Sequence, residues 1–293
     1  MTRVREPRFG FDDPWFTHVD FSDALPLRFA ISSFRHFLVS TLLILAACGS
    51  SSGALGRVID SGVLRVGMDA SFPPFEYVDG EGNLVGYDVD LAREVAARLG
   101  VVAGADDLVV DVQFVANLPY DGLYDALTAE RVDVVVSALY VDESRRGTFE
   151  FTTPYFNAGH VLVVVEGAGE VAAMEDLDGR VLAVEFGSEG DVVAREYARR
   201  LSDLTILPAP TATEALSAVA IGAADAALVD RLSALAATGA GSGLRVVGDP
   251  VTDEPYAIAV WGADRRLLAL LNEILNDMET DGTLDVLESR WFR

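Results

Sequence analysis

Three places in this sequence carry side chains that could share one piece of chemistry. Arg145 follows the apolar run Asp133-Val-Val-Val136, Asp230 ends the run Ala226-Ala-Leu-Val229, and Asp69 with Phe72 follows a short apolar run around Val66. A guanidinium grips a carboxylate, an acid grips an ammonium, and aromatic rings wall in a side chain, which is what holding a small zwitterion requires. Each group alone reads as a solvated charge or a core ring. Three together at three strand ends carry more weight, because ligands of open parallel sheets sit beyond the carboxyl ends of the strands.

Other chemistry is poorly served. Gly49-Ser50-Ser51-Ser52-Gly53 spells a nucleophile elbow but lacks the strand before and the helix after that make a serine reactive. Asp79, Glu81 and Asn83 stand at positions 1, 3 and 5 of a calcium loop, yet Leu84 occupies its glycine position. His18, His36, His160 and the single Cys48 have no metal-ligand spacing, and one cysteine makes no internal disulfide. No metal and no cofactor is expected, and His160 reads as structural.

The elements that must position these residues alternate between strand and helix. Val63 to Val66 is a short strand, and a helix is predicted from about 88 to 99, with Ala92, Val95, Ala96 and Leu99 on one face and Gly100 as its stop. Val110, Val112 and Phe114 alternate as a strand, Leu123, Ala126 and Leu127 give a helical face, and 133–136 is a buried strand. The second half repeats this grammar, with strands near 161–165, 181–184, 204–207 and 226–229 and helices near 190–201 and 213–221. Arg131-Val-Asp133 and Ala224-Asp225 read as equivalent helix-to-strand corners. A long amphipathic helix carrying Leu267, Leu271, Ile274, Leu275 and Met278, then a shorter one ending at Trp291-Phe292, must pack on one of the two units. The pattern implies an α/β fold with mainly parallel sheets.

Composition agrees. The chain has 293 residues, 51% of them hydrophobic, which suffices for a real core and suggests about two domains. All 22 basic residues are arginine, and 46 acidic ones leave a formal charge of -24. Such a surface repels phosphate backbones, so nucleic acid is not an expected partner; the acidity fits a salty habitat or a GC-biased genome as well as any function. Residues 37–47, FLVSTLLILAA, follow Arg35 and His36 and end in small residues at Cys48, the outline of an export signal. At about 1.5 Å per residue the run is half the length of a membrane span. Residues 1–47 hold five arginines and five acids, so the acidity belongs to the rest of the chain. A glycine- and serine-rich tether over 48–57 follows.

Leu45-Ala46-Ala47-Cys48 resembles the lipobox of bacterial lipoproteins, which implies a lipidated Cys48 and an extracytoplasmic protein anchored at the cell membrane, facing the periplasm or the cell surface. The thirty residues before the charged segment are atypical; they read as a misassigned start or as a cytoplasmic extension. From Leu64 onward the chain resembles the polar amino-acid-binding proteins of ABC importers, solute-binding protein family 3. The resemblance lies in LRVGMDASFPPFEYV (64–78), LVGYDVDLAREVAARLG (84–100), VDVVVSALYVDESRR (132–146), FEFTTPYF (149–156), ADAALVD (224–230), DEPYAIAV (253–260), DGTL from Asp281 and the closing Trp291-Phe292.

This resemblance implies two Rossmann-like lobes of the type II periplasmic-binding-protein fold, joined by two hinge strands. Lobe 1 would be 58–157 plus 257–293, and lobe 2 158–256, with crossings near 156–159 and 256–257. It also implies roles: Asp69 facing the ligand side chain, Phe72 and Tyr120 as aromatic walls, Ser137 and the following backbone with Arg145 for the α-carboxylate, and Asp230 for the α-ammonium. Gly187-Ser188 resembles the turn that completes the carboxylate site with helix N–H groups. Two positions depart from the family. Tyr140 stands where a small hydroxyl residue is usual, and Glu189 where threonine or serine is. Glu189 either points outward or, with Asp69 and Glu76, makes an acidic pocket for a cationic ligand. The implied protein is a non-enzymatic monomer that captures a polar or cationic amino acid and delivers it to an ABC permease; an exported dehydratase of prephenate or arogenate on the same scaffold is the alternative.

Overall fold

The computed structural model describes residues 53–292 except 106, 170 and 240; residues 37–47 and Cys48 lie outside them. The described chain opens with helix α1 (Ala54–Ser61), and Ala54, Leu55 and Val58 are buried. The tether predicted over 48–57 is therefore helical from Ala54 onward, and a helix does follow Gly53. The reason is local: three apolar side chains share one face, and the first N–H donates to Asp264 Oδ1 at 2.8 Å. Gly62, at φ 68, ends the helix.

There follow β1 (Val63–Gly67), β2 (Ser71–Phe72), β3 (Glu76–Val78), β4 (Leu84–Val85), α2 (Tyr87–Val102), β5 (Asp111–Val115), α3 (Leu123–Thr128), β6 (Val134–Val135) and β7 (Phe149–Phe151). The chain then crosses on β8 (Phe156–Asn157) to a second lobe of β9 (His160–Val165), β10 (Val181–Glu185), α4 (Glu189–Ala198), β11 (Thr205–Ala209), α5 (Ala212–Ala220), β12 (Ala226–Asp230), α6 (Arg231–Ala237) and β13 (Leu244–Val247). It returns on β14 (Pro255–Tyr256) to β15 (Ala259–Trp261), α7 (Arg265–Thr280) and α8 (Thr283–Phe292).

Each lobe is built on a five-stranded sheet, ordered β5-β1-β6-β15-β7 in the first and β11-β10-β12-β9-β13 in the second. The sheets are mixed rather than mainly parallel. β1 runs parallel to β5 and β6, and β10 to β11 and β12, but β15 and β9 lie antiparallel to their neighbours. Both exceptions adjoin the crossing: β9 carries the chain in and β15 carries it back, each against the run of the sheet it joins.

The second sheet is covered on both faces. Val161, Val163, Ala227 and Val229 face one apolar cluster, and Leu162, Val164, Ala226 and Leu228 the other, so the strands read as continuous apolar runs. In the first lobe α2 packs on α7 and α8. Helix α2 does not stop at Gly100. A Cβ there would lie 2.1 Å from the Leu108 carbonyl oxygen, so glycine serves the close approach of the following loop, and the helix runs on to Val102.

One aromatic cluster holds the crossing to the first lobe. Phe75, fully buried, has the rings of Tyr87, Phe156, Tyr256 and Phe292 within 5.2 to 5.8 Å of its own. Its partners come from α2, both crossing strands and α8, so a single side chain joins four segments. The crossing strands pair antiparallel, Phe156 opposite Tyr256 and Asn157 opposite Pro255. Asn157 binds them further: its Oδ1 accepts from the N–H groups of Gly159 and Glu254 at 2.9 and 3.0 Å, and its Nδ2 donates to Asp253.

Candidate functional site

Asp69 and Ser137 each stand two residues beyond a parallel strand of the first sheet, β1 and β6, and the Asp69 N–H donates to Ser137 Oγ at 2.9 Å. Between them lies a cavity of about 280 Å³ lined also by Phe72, Tyr120 and Tyr140, five of the residues named from sequence. Ser71, Glu254 and Tyr256, which sequence reasoning did not place in a site, complete it, with Ala138, expected only as the backbone following Ser137, and Glu76, weighed only as part of an acidic pocket. Larger cavities of about 410 and 480 Å³ adjoin Asp133 and Arg231 respectively, and neither is lined by any of the site residues named from sequence.

The floor is a buried polar network. Ser137 donates to Glu76 Oε1 at 2.8 Å. Behind Glu76 stands Asp88, fully buried in the first turn of α2, whose Oδ2 accepts from the Ala138 N–H and from the Tyr155 hydroxyl. Gly86 makes this possible. At φ 137 it precedes α2, and a Cβ there would lie 2.0 Å from the Phe75 carbonyl oxygen. The close approach lets Tyr87 and Asp88 donate their N–H groups to the carbonyls of Pro74 and Phe75 at 3.0 and 2.8 Å, which sets Asp88 under Glu76. Ala138 is held at φ 41, an uncommon conformation for a residue with a Cβ.

The carboxyls of Glu76 and Asp88 are both shifted above the ordinary range. For Glu76 burial is the largest cause, followed by the charge of Asp88; for Asp88 it is burial, opposed by the Ala138 N–H and the Tyr155 hydroxyl. Three carboxyls reach the cavity, from Asp69, Glu76 and Glu254, and no arginine or histidine lines it.

Arg145 lies outside this lining. Within the turn Glu143–Arg145 its Nε donates to Asp142 at 3.0 Å, and its guanidinium lies 4.3 Å from the centre of the Tyr124 ring. The acid three residues back and the aromatic face beside it occupy the cation the sequence assigned to a carboxylate. Ser188, Glu189 and Asp230 belong to the second lobe and do not line the cavity either. Ser188 caps α4 by accepting from the Asp191 N–H, and Asp191 in return accepts from the Gly187 N–H at 3.1 Å, so that amide already has a partner. Glu189 is exposed, with its carboxylate 3.7 Å from the His160 ring. Asp230 caps α6 by accepting from the Ser233 N–H at 2.8 Å.

Known proteins supply the remaining comparison. The L-cystine-binding protein TcyJ of Escherichia coli K12 is 28% identical over 266 residues, covering 88% of this chain and 95% of its own. A solved ancestral cationic amino-acid solute-binding protein is 32% identical, covering 82% of this chain and all of its own, with a TM-score of 0.55. A solved ancestral cyclohexadienyl dehydratase is 28% identical, covering 83% and 97%, with a TM-score of 0.69. The family described as "Bacterial extracellular solute-binding proteins, family 3" matches residues 64–293. With two mixed α/β lobes, a two-stranded crossing and a ligand-sized cavity beyond β1 and β6, the chain belongs to the bacterial extracellular solute-binding proteins of family 3.

Proposed function

We propose that this protein captures a cationic amino acid between its lobes and delivers it to an ABC permease. The observation that carries this reading is the make-up of the cavity: carboxyls of Asp69, Glu76 and Glu254, rings of Phe72, Tyr120, Tyr140 and Tyr256, and no described basic side chain. A guanidinium or ammonium entering there meets negative charge and aromatic faces, whereas an acidic side chain is repelled. Similarity to an ancestral cationic amino-acid-binding protein supports the same class.

In this proposal the ligand side chain docks on the first lobe and the second lobe swings over it about β8 and β14. Arg145 turns from Asp142 to the α-carboxylate, Asp230 takes the α-ammonium, and Ser188 and Glu189 border the closed site. Micromolar capture requires about 8 kcal/mol. Charge-assisted hydrogen bonds at roughly 1.5–3 kcal/mol each, with ring burial, are of the right size. Lipidation of Cys48 would hold the protein at the outer face of the membrane; loss of the membrane-bound fraction in Cys48→Ser is the corresponding test.

Calorimetry of L-arginine, L-lysine and L-ornithine against L-glutamine and L-cystine tests the ligand class. Tighter binding of the neutral amino acids would overturn it. The likeness to an ancestral cyclohexadienyl dehydratase favours a second reading, dehydration of prephenate or arogenate with Glu76 or Glu189 as the acid. Prephenate carries two carboxylates, which three cavity carboxyls disfavour, and product formation from prephenate decides the matter.

A further inference from the structure

Glu76 and Asp88 are the two carboxyls of the site with the least access to water, 1% and 0% exposed. Each has one oxygen fully used: Glu76 Oε1 accepts from Ser137, and Asp88 Oδ2 from Ala138 and Tyr155. The other oxygens, Glu76 Oε2 and Asp88 Oδ1, are buried and have no hydrogen-bond partner. The two carboxyls are anchored on consecutive residues, Glu76 on Ser137 and Asp88 on Ala138, so that their unpartnered oxygens lie in one dry site. Ionised carboxylates only accept, and two such groups buried side by side without a cation are costly, so the site is satisfied when one of them carries a proton.

The surroundings say which partner keeps the charge. Asp88 sits in the first turn of α2, where the helix dipole favours an anion, and has two donors of its own. Glu76 has one donor and faces the cavity. The other ionisable groups around the pair are Asp69 beyond β1, Tyr120 before α3, Tyr87 on α2, Tyr155 before β8, and Glu254 and Tyr256 at β14. None is a cation. Arg231 and Glu288 are felt at Tyr87 but are paired with each other at 2.7 Å.

We propose that Glu76 and Asp88 hold one proton between them in the unliganded protein, and that a ligand cation entering beside Asp69 expels it, so that capture exchanges a cation for a proton. This rests on the cationic reading above. The proton leaves Glu76 for the solvent, the ligand's positive charge takes its place beside Glu76, and the charge of the site is unchanged. Asp88 is here a positioning residue, acting through Glu76. A neutral side chain brings no compensating charge and leaves the proton in place.

The full chain is titrated with L-arginine by calorimetry at pH 7.5, in phosphate and in Tris, whose ionisation heats differ. Wild type should show a buffer-dependent heat corresponding to release of up to one proton per ligand, and affinity rising up to tenfold per pH unit while release is complete. Glu76→Gln should bind with no buffer dependence. Asp88→Asn presents an amide donor to Glu76, ionises it in advance, and should abolish the release while retaining binding, which a merely structural role does not predict. Infrared spectra of the unliganded protein should contain a protonated carboxyl band at pH 7.5 that Glu76→Gln lacks; its absence from wild type overturns the proposal without any ligand. L-Arginine binding with equal heats in both buffers overturns the exchange alone. No L-arginine binding overturns the cationic reading and the exchange with it.

Discussion

Arg231, the first residue of α6 in the second lobe, donates to Glu288 on the C-terminal helix of the first lobe at 2.7 Å, and its guanidinium lies 4.7 Å from the centre of the Phe156 ring. Both side chains are largely buried, at 25% and 17% exposed, so the pair is screened less than a surface ion pair. It spans the lobes on the side where Arg231 also donates to the Asn157 carbonyl. Since Ser188, Glu189 and Asp230 of the second lobe do not line the cavity, the pair belongs, in the proposed mechanism, to the arrangement that precedes closure. Glu288→Gln should ease closure and raise ligand affinity about two- to fivefold, a few tenths to one kcal/mol, as read by calorimetry. A fall in affinity would mean that the pair survives closure.

Removing the guanidinium of Arg145 tests the proposed carboxylate contact. Its present partners, Asp142 and Tyr124, are local, so Arg145→Ala should leave the fold intact and weaken binding of amino acids at least tenfold, while the corresponding decarboxylated amines are unaffected. Equal affinity of wild type and variant for L-arginine would place Arg145 outside the site.

The raised carboxyl of Glu76 makes stability depend on pH in a defined direction. The folded protein keeps a proton there that the unfolded chain gives up in the ordinary carboxylate range. The contribution is therefore complete below about pH 4 and is lost progressively as pH rises. Melting temperature should fall more steeply between about pH 5 and 9 in wild type than in Glu76→Gln. Parallel curves would show that Glu76 titrates like an exposed acid.

Phe75 joins the loop before β3 to both crossing strands and α8. Phe75→Ala should cost roughly 3–5 kcal/mol and lower the melting midpoint by roughly 10 °C. Because Phe156 and Tyr256 lose the same partner, ligand affinity should fall too. Thermal denaturation and calorimetry on the one variant measure both.

The repeating strand and helix pattern of the sequence carried the fold, and one of its finer readings has a clear structural counterpart. Asp133 and Asp225, expected at equivalent corners, do equivalent work: each donates its N–H to the neighbouring strand, at Arg65 and Val181, and accepts that residue's N–H on its carboxylate. Strand direction was less legible, because period and apolarity are the same for a strand entering a sheet from either end; β9 and β15 came out antiparallel for that reason. Gly100 was read as a stop because a glycine near a helix end usually is one, and only the approach of Leu108 reveals its other use. In the site, residues at strand ends were readable from the pattern. Glu254 and Tyr256 were not, since they reach the cavity from the return crossing, more than a hundred residues beyond Ser137. Asp88 looked like an ordinary first-turn acid, and nothing in its spacing announced the carboxyl above it.

Tyr256 forms part of the cavity wall, stands opposite Phe156 in the crossing ladder, and packs on Phe75. In the proposed closure, a guest pressing on that ring would push on the axle itself. Occupancy and the proposed rotation would then share a moving part, with no relay between them, and a bulky side chain that jams Tyr256 would stall the swing even while it is held.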